Sequence, residues 1–292
     1  MLLRFSCVRS LLPVSLLLTL GLASCASPSA EPGGVRILTL NLLTFAVGPD
    51  VDLRTQMAID LIRQEGPDIV ALQEVAESSE VANRAEVIAS ATGYHFVWTA
   101  TETDENADYH GGPAVLSRRP IDSQRIVDLP HLDFEGEVIR RAIQITAETP
   151  AGVVRFVGNH TTTNSDSQKK TDQVVAGVVG ALADETASPL FYAGDFNAEP
   201  TSQAMRVLRG EESYEGSTFG FEDAWQTINP SSLGHTYPSR DPARRIDYIY
   251  SVAGAEARAR VTACRLVLQE PQRGVLASDH LGVLCDFSIE AR

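Results

Sequence analysis

The stretch that most constrains this chain is an apolar run, Pro189 to Ala193, that ends at Gly194 and passes directly into Asp195-Phe196-Asn197. The run reads as a buried strand. In an extended chain, side chains at i and i+2 share a face. Asp195 and Asn197 therefore point one way, and Phe196 points back into a core. A carboxylate and an amide side by side at a strand end suit two tasks: taking a proton from water and holding an anionic substrate. Asp and Asn are also turn formers, and in isolation this stretch would read as a turn. The rest of the chain decides between the two.

The same pattern recurs along the 292 residues, a length that allows one large domain or two small ones. Val35 to Asn41 reads as a strand that ends in an amide. A helix is predicted over Asp52 to Gln64 from the spacing of Leu53, Met57, Leu61 and Ile62, with Gly66-Pro67 stopping it. Asp68 to Glu74 is a second buried strand, ending in a carboxylate. An acid there costs free energy unless it is paired, hydrogen-bonded or metal-bound; the ordinary alternative is a solvated strand end. Further elements are a helix over 80–92, a strand over Tyr94 to Ala100, a polar loop from Thr101 to Gly112, and a short strand from Ala114 to Ser117. Val138 to Thr146 and Val153 to His160 pair as a hairpin through Pro150-Ala151-Gly152, with Arg140 and Arg141 on its first strand. Asp166 to Glu185 is a helix with a valine-rich stripe, Thr201 to Arg209 a short helix, and Phe221 to Ile228 a helix or turn. Arg245 to Tyr250 and Arg258 to Leu268 are strands, and Ala277 to His280 leads into the last one, Leu281 to Ile289. Strands and helices mix throughout, so the class is α/β or α+β.

Polar residues stand at strand ends again and again: Asn41, Glu74, His160, Asp195, Asn197, Asp247, Asp279 and His280. One is an ordinary cap. Eight, if the ends converge, build a carboxylate-rich pocket with two histidines. Oxygen donors with room for water favour Mg²⁺ or Mn²⁺ over Zn²⁺, and no Cys/His cluster has zinc-site spacing.

The ordered set Thr39-Leu40-Asn41, Leu72-Gln73-Glu74, Ala114-Val115-Leu116-Ser117, Gly158-Asn159-His160, Gly194-Asp195-Phe196-Asn197, Arg245-Ile246-Asp247-Tyr248-Ile249 and Ser278-Asp279-His280 resembles the endonuclease/exonuclease/phosphatase superfamily. The resemblance spans about residues 35–290. It implies a four-layer sandwich of two mixed β-sheets flanked by helices, and a metal-dependent phosphoester hydrolase. By the same resemblance Glu74 is the main metal ligand, with Asn41 and Asp279 holding the metal directly or through water. Asp195 orients and deprotonates the attacking water, and Asn197 contacts the phosphate or positions that water. His280 binds phosphate oxygens, Asp247 holds His280 and favours its charged form, and His160 contacts the phosphate or assists the leaving group. Arg140 or Arg141 stands near the phosphate-facing position. Two departures are visible: Gly112-Pro113 where members often read Gly-Asn, and His160-Thr161 where they read His-Leu.

Residues 1–24 read as a targeting segment, with Arg4 and Arg9 before the apolar stretch Leu11 to Leu22, too short for a membrane span. Leu22-Ala23-Ser24-Cys25 resembles the bacterial lipobox, which makes Cys25 the expected lipidation site; an ordinary secretory signal is the alternative. Residues 25–34 read as a flexible tether and 35–292 as the domain. The expected protein is exported, lipid-anchored to a bacterial membrane facing periplasm or exterior, and monomeric. The net charge is −14, and removal of a leader with two arginines and no acid makes it more negative. Such a chain is repelled by polyanions at long range. This leans mildly away from a general nuclease and leaves nucleic acid, a lipid head group or a small phosphodiester open as substrate. A phosphodiesterase is preferred. A phosphomonoesterase of inositol-phosphate or lipid-phosphate type and a non-catalytic surface binding lipoprotein are the alternatives. Cys264 and Cys285 stand in strands, either paired, as export permits, or as two buried thiols.

Overall fold

The computed structural model describes residues 33–43, 50–79, 81–101, 109–131, 139–183 and 187–292. The expected leader, Cys25 and all but the end of the expected tether lie outside these residues. Two six-stranded mixed sheets stand face to face. The first has the order β11 (Ala257–Val267), β12 (Gly282–Ala291), β1 (Gly34–Asn41), β2 (Ile69–Ser78), β4 (Tyr109–Ser117) and β3 (His95–Trp98). The second runs β5 (Ile121–Asp128), β6 (Arg141–Thr149), β7 (Gly152–His160), β8 (Leu190–Asp195), β10 (Asp247–Val252) and β9 (Glu222–Asp223). Helices α1 (Val51–Glu65) and α2 (Arg84–Thr92) cover the first sheet. Helices α3 (Ser167–Ala183) and α4 (Gln203–Leu208) cover the second, and α5 (Ala224–Ile228) follows β9. No helix among the described residues is long and apolar enough to cross a membrane.

Period-2 alternation sorts the strand residues into three apolar layers. Ile37, Ile69, Ala71, Phe156, Phe191, Ala193 and Ile249 fill the space between the sheets. Leu38, Leu40, Val70 and Leu72 face α1 and α2. Val157, Leu190, Tyr192, Tyr248 and Tyr250 face α3 and α4. Because both faces are covered, these strands read as continuous apolar runs.

Each sheet is built around one parallel pair, β1 with β2 and β7 with β8, flanked by antiparallel neighbours. Helix α1 makes the crossover in one sheet and α3 in the other. The carboxyl ends of the two parallel pairs bring together Asn41, Glu74, His160 and Asp195, the position where α/β sheets favour ligands.

Several expected boundaries move. The expected loop from Thr101 to Gly112 is strand from Tyr109 onward, pairing with residues 75–78 of β2. Strand β2 does not end at Glu74 but continues to Ser78 across a bulge. Strand β5 has no counterpart among the expected elements. It is a solvent-exposed edge strand whose Asp122-Ser123-Gln124-Arg125 carries no apolar signal. Cys264 and Cys285 are register partners on β11 and β12 and form a disulfide.

Candidate active site

On β8 the inward-facing residues are Phe191, Ala193 and then Asp195, so alternation delivers the carboxylate to the end of the inter-sheet space. Gly194 makes this possible. Its φ is +148°, and a Cβ there would lie 2.0 Å from the Asn159 carbonyl oxygen. Phe196 then turns outward into the layer under the helices. It stands edge-on to Tyr192, Tyr248 and Tyr250 at 4.8, 5.6 and 5.9 Å between ring centroids. That aromatic anchor fixes the turn. Asn197 completes it in the left-handed region, with φ 46°, donating its amide N–H to Asp195 Oδ1 at 2.8 Å.

Glu74 reaches the same place by a different device. Regular alternation would send it toward α1 and α2, on the side of Leu72. Between Leu72 and Val75 the register with β4 shifts by one residue, and Glu74 takes φ 55°. The bulge re-aims its side chain into the site, where it accepts from Asn41 Nδ2 at 3.0 Å. Pro113, buried, is the single β4 residue opposite Gln73 and Glu74 of the bulge.

Asp195 is the hub. Its Oδ2 accepts from Asn41 Nδ2 at 3.2 Å and lies 3.6 Å from His160 Nε2 and 3.8 Å from His280 Nε2. On the other side of the ring, His280 Nδ1 donates to Asp247 Oδ2 at 2.9 Å, and the Asp247 and Asp195 backbones are register partners. Burial pushes the Asp195 carboxyl up to about 7, with Asp247 adding to the effect and His280 and the Asn197 and Asn41 hydrogen bonds opposing it. Burial acts to lower His280, but Asp247, Asp195 and Asp279 outweigh it and hold the imidazolium to about 10. His160 goes the other way: burial, Arg140 and His280 push it well below 6.5, so it is neutral.

These residues line a cleft of about 290 Å³ whose walls comprise Glu74, His160, Thr163, Lys170, Asp195, Asn197, Tyr237, Arg244, Ile246, Asp279 and His280. A larger groove, about 600 Å³, runs along α3 past Arg125 and Tyr214, but no histidine lines it.

Two parts of the cleft bear on a metal. The ligand atoms of Asp195, Asp247 and His280 lie within 4.8 Å of one another, a spacing that a cation can bridge. His280, however, is held protonated between two carboxylates, and an imidazolium has no lone pair to give. Glu74 and Asp279 are the better fit. Burial, and then Asp279, raise the Glu74 carboxyl against the opposing Asn41 hydrogen bond. A pair of hard oxygen donors, in which Asp279 adds to the cost of charging Glu74, suits a hard divalent cation.

The structure brings Asn41, Glu74, His160, Asp195, Asn197, Asp247, Asp279 and His280 together. Three expectations are refined. Asn41 presents its nitrogen, not its oxygen, to Glu74 and Asp195, while Oδ1 accepts from Leu43 N at 3.0 Å; it ties the two carboxylates together. Asn197 has its Nδ2 engaged with the Thr161 carbonyl at 3.1 Å. Of the two arginines only Arg140 adjoins the site, with Nη1 3.0 Å from His160 Nδ1. Arg141 opens β6 facing the other way and is paired with Asp128 at 2.7 Å. Sequence reasoning missed Thr163, Lys170, Tyr237 and Arg244. The ring of Tyr237 lies 4.8 Å from that of His280, and only the rarity of lysine marked Lys170.

Residues 38–280 match the Endonuclease/Exonuclease/phosphatase family, and the chain belongs to it. Members of this family generally hydrolyse phosphoesters, nucleic acids among them, with a divalent metal. Among similar solved structures is an endonuclease/exonuclease/phosphatase from Beutenbergia cavernae, 25% identical, TM-score 0.68, with 88% of this chain and 72% of that one covered. A family protein from Leptotrichia buccalis is 19% identical, TM-score 0.67, with 88% and 99% covered. The human Nocturnin catalytic domain, solved with a bound sulfate anion, is 22% identical, TM-score 0.67, with 88% and 94% covered.

Proposed function

We propose that this chain is an exported, metal-dependent phosphodiesterase. The observation that carries the reading is the position of Asp195, poised near neutrality by burial and faced by one cationic and one neutral histidine at the floor of the cleft. A base with that affinity can take a proton from water at pH 7. His280, held charged by Asp247, faces the phosphate oxygens and stabilises the charge that develops on them. His160, neutral and beside Arg140, serves the leaving-group side, and Asn197 holds the Asp195 carboxylate in place through its backbone. Glu74 and Asp279 would hold Mg²⁺ or Mn²⁺, with Asn41 fixing Glu74. The cation would neutralise phosphoryl charge and polarise the reacting bond. A diester is favoured over a monoester because the floor already gathers four carboxylates, and a monoanion meets less repulsion there than a dianion. We extend the proposal to the chain's organisation: a leader over 1–24, lipidation at Cys25, a tether over 25–34, and a monomeric domain over 35–292 held at a bacterial membrane.

The test is hydrolysis of bis(p-nitrophenyl) phosphate and p-nitrophenyl phosphate by the full-length chain in detergent, with Mg²⁺, Mn²⁺ or chelator. The expected result is chelator-sensitive turnover, faster on the diester and abolished in Asp195→Asn. Turnover that persists in Asp195→Asn would contradict the mechanism. Lipidation is read separately, by incorporation of labelled palmitate that disappears in Cys25→Ser.

A further inference from the structure

The cleft has a second side that the chemistry above does not use. Lys170, in the first turn of α3, donates from Nζ to the Asn197 carbonyl at 2.6 Å. Arg244, on the loop before β10, donates from Nε to Glu199 Oε1 at 2.9 Å. Both line the cleft. The groups that act on Lys170 are Arg244, Asp195 and Glu199, whereas those that act on Glu74 are Asp279, His280 and Arg140. The two sets share no member, so the cations stand on the Asp195 side of the cleft rather than beside Glu74. Lysine is rare here: Lys169 and Lys170 are the only two in a chain of net charge −14. The remaining ammonium hydrogens of Lys170 are not used by Asn197. Nε is the only side-chain nitrogen of Arg244 with a hydrogen-bond partner among the described residues, which leaves both Nη groups to offer.

We propose that Lys170 and Arg244 bind a second phosphate group of the substrate, adjacent to the phosphoester that is cleaved. The proposal rests on the hydrolase reading and narrows it. Lys170 and Arg244 set two cations against the carboxylates of Glu199 and Asp195 on this side. The guanidinium fork matches a phosphate, and Lys170 adds a point charge from the helix side. Esters with a phosphate beside the scissile one, such as nucleotides within a chain or bisphosphorylated head groups, fit. Esters of a cationic alcohol such as choline place like charge against Lys170 and Arg244 and are disfavoured. Arg244 and Glu199 are both exposed, so substitutions there leave the core intact.

The experiment compares binding of thymidine 3′,5′-bisphosphate and thymidine 5′-monophosphate by calorimetry, on the full-length chain carrying Asp195→Asn to prevent turnover. Turnover by the otherwise unaltered chain is measured with the p-nitrophenyl ester of thymidine 5′-phosphate, with and without a 3′-phosphate, and with p-nitrophenylphosphocholine. The bisphosphate is expected to bind about tenfold or more tightly than the monophosphate, the scale of one charge-assisted contact. Arg244→Gln or Lys170→Gln should erase most of that advantage, Lys170→Arg should keep it, and Glu199→Gln should widen it. A merely structural Arg244–Glu199 pair would make Glu199→Gln and Arg244→Gln behave alike, weakening both ligands equally. That result, equal binding of the two ligands, or preferential turnover of the choline ester would overturn the proposal. The hydrolase reading fails separately: no hydrolysis of any ester with a bisphosphate preference intact removes that reading and keeps the subsite. Hydrolysis of all three esters with no bisphosphate preference does the reverse. A preference for bisphosphorylated inositol over a short oligonucleotide, or the opposite, then tells a head group from a nucleic acid.

Discussion

The two sheets repeat one plan and put it to different uses. Each centres on a parallel pair joined through a helix, β1–α1–β2 in one and β7–α3–β8 in the other, with antiparallel strands outside. In the first half the pair ends in the buried amide of Asn41 and the bulged Glu74, and the strand-entry loop adds Asp279, so two carboxylates stand partly open to the cleft. In the second half it ends in His160 and Asp195, with Asp247 beside them: proton-handling groups, each almost fully buried. On the proposed reading, the same backbone position serves as a cation seat where side chains are hard and half-exposed, and as an acid–base centre where burial moves their affinities. His280 belongs by sequence to the first sheet's last loop but faces Asp195 and Asp247 of the second, and joins the two.

The largest expected effect breaks the second half. Asp195→Asn should lower kcat by about 10²–10⁴, the range for a lost general base, measured by steady-state hydrolysis. Next is the anchor behind it. Phe196→Ala removes a fully buried ring and should cost about 3–5 kcal/mol, read from urea unfolding. Gly194→Ala forces a Cβ against the Asn159 carbonyl at a positive φ and should cost about 1–3 kcal/mol, with activity falling because Asp195 moves. Loss of stability without loss of activity would separate the turn from the chemistry. The smallest effect sharpens the contrast from the first half. Burial and Asp279 make ionised Glu74 costly without a cation, so Glu74→Gln should stabilise the chelated protein by about 1 kcal/mol, a melting temperature about 2–4 °C higher. The same variant should be destabilised relative to the native chain once Mg²⁺ is added.

Much of this was legible in the sequence because alternation and strand ends carry it. Asp195 and Asn197 flanking Phe196 declared a face and a core, and both hold. The second half could be read because its strands are apolar on both faces and stop at the site. Glu74 was found for a weaker reason. Its place at the end of an apolar run pointed to it, but its direction depends on a bulge and a positive φ that no periodicity encodes, and β2 runs on beyond it. The same bulge hid the first half of β4, since His110-Gly111-Gly112-Pro113 reads as a breaker. Strand β5 was invisible because an exposed edge strand buries too little to leave an apolar pattern. Arg140 and Arg141 could not be told apart because adjacent residues on a strand face opposite ways, and a one-residue uncertainty of register exchanges them. Lys170 and Arg244 lie far apart in the chain and meet only through the fold.

On the proposed reading, one half of the molecule seats the cation and the other moves the proton. The direct test is the pH profile of kcat/KM at several Mg²⁺ concentrations for the native chain, Glu74→Gln and Asp195→Asn. Asp195 takes its proton as pH falls through about 7, so native activity should decline below that pH and hold above it. Glu74→Gln should need far more Mg²⁺ while keeping the same acid limb. Asp195→Asn should lose the acid limb with its activity, with the Mg²⁺ requirement of any residue of turnover unchanged. An acid limb that persists in Asp195→Asn, or a Mg²⁺ requirement untouched by Glu74→Gln, would contradict that division.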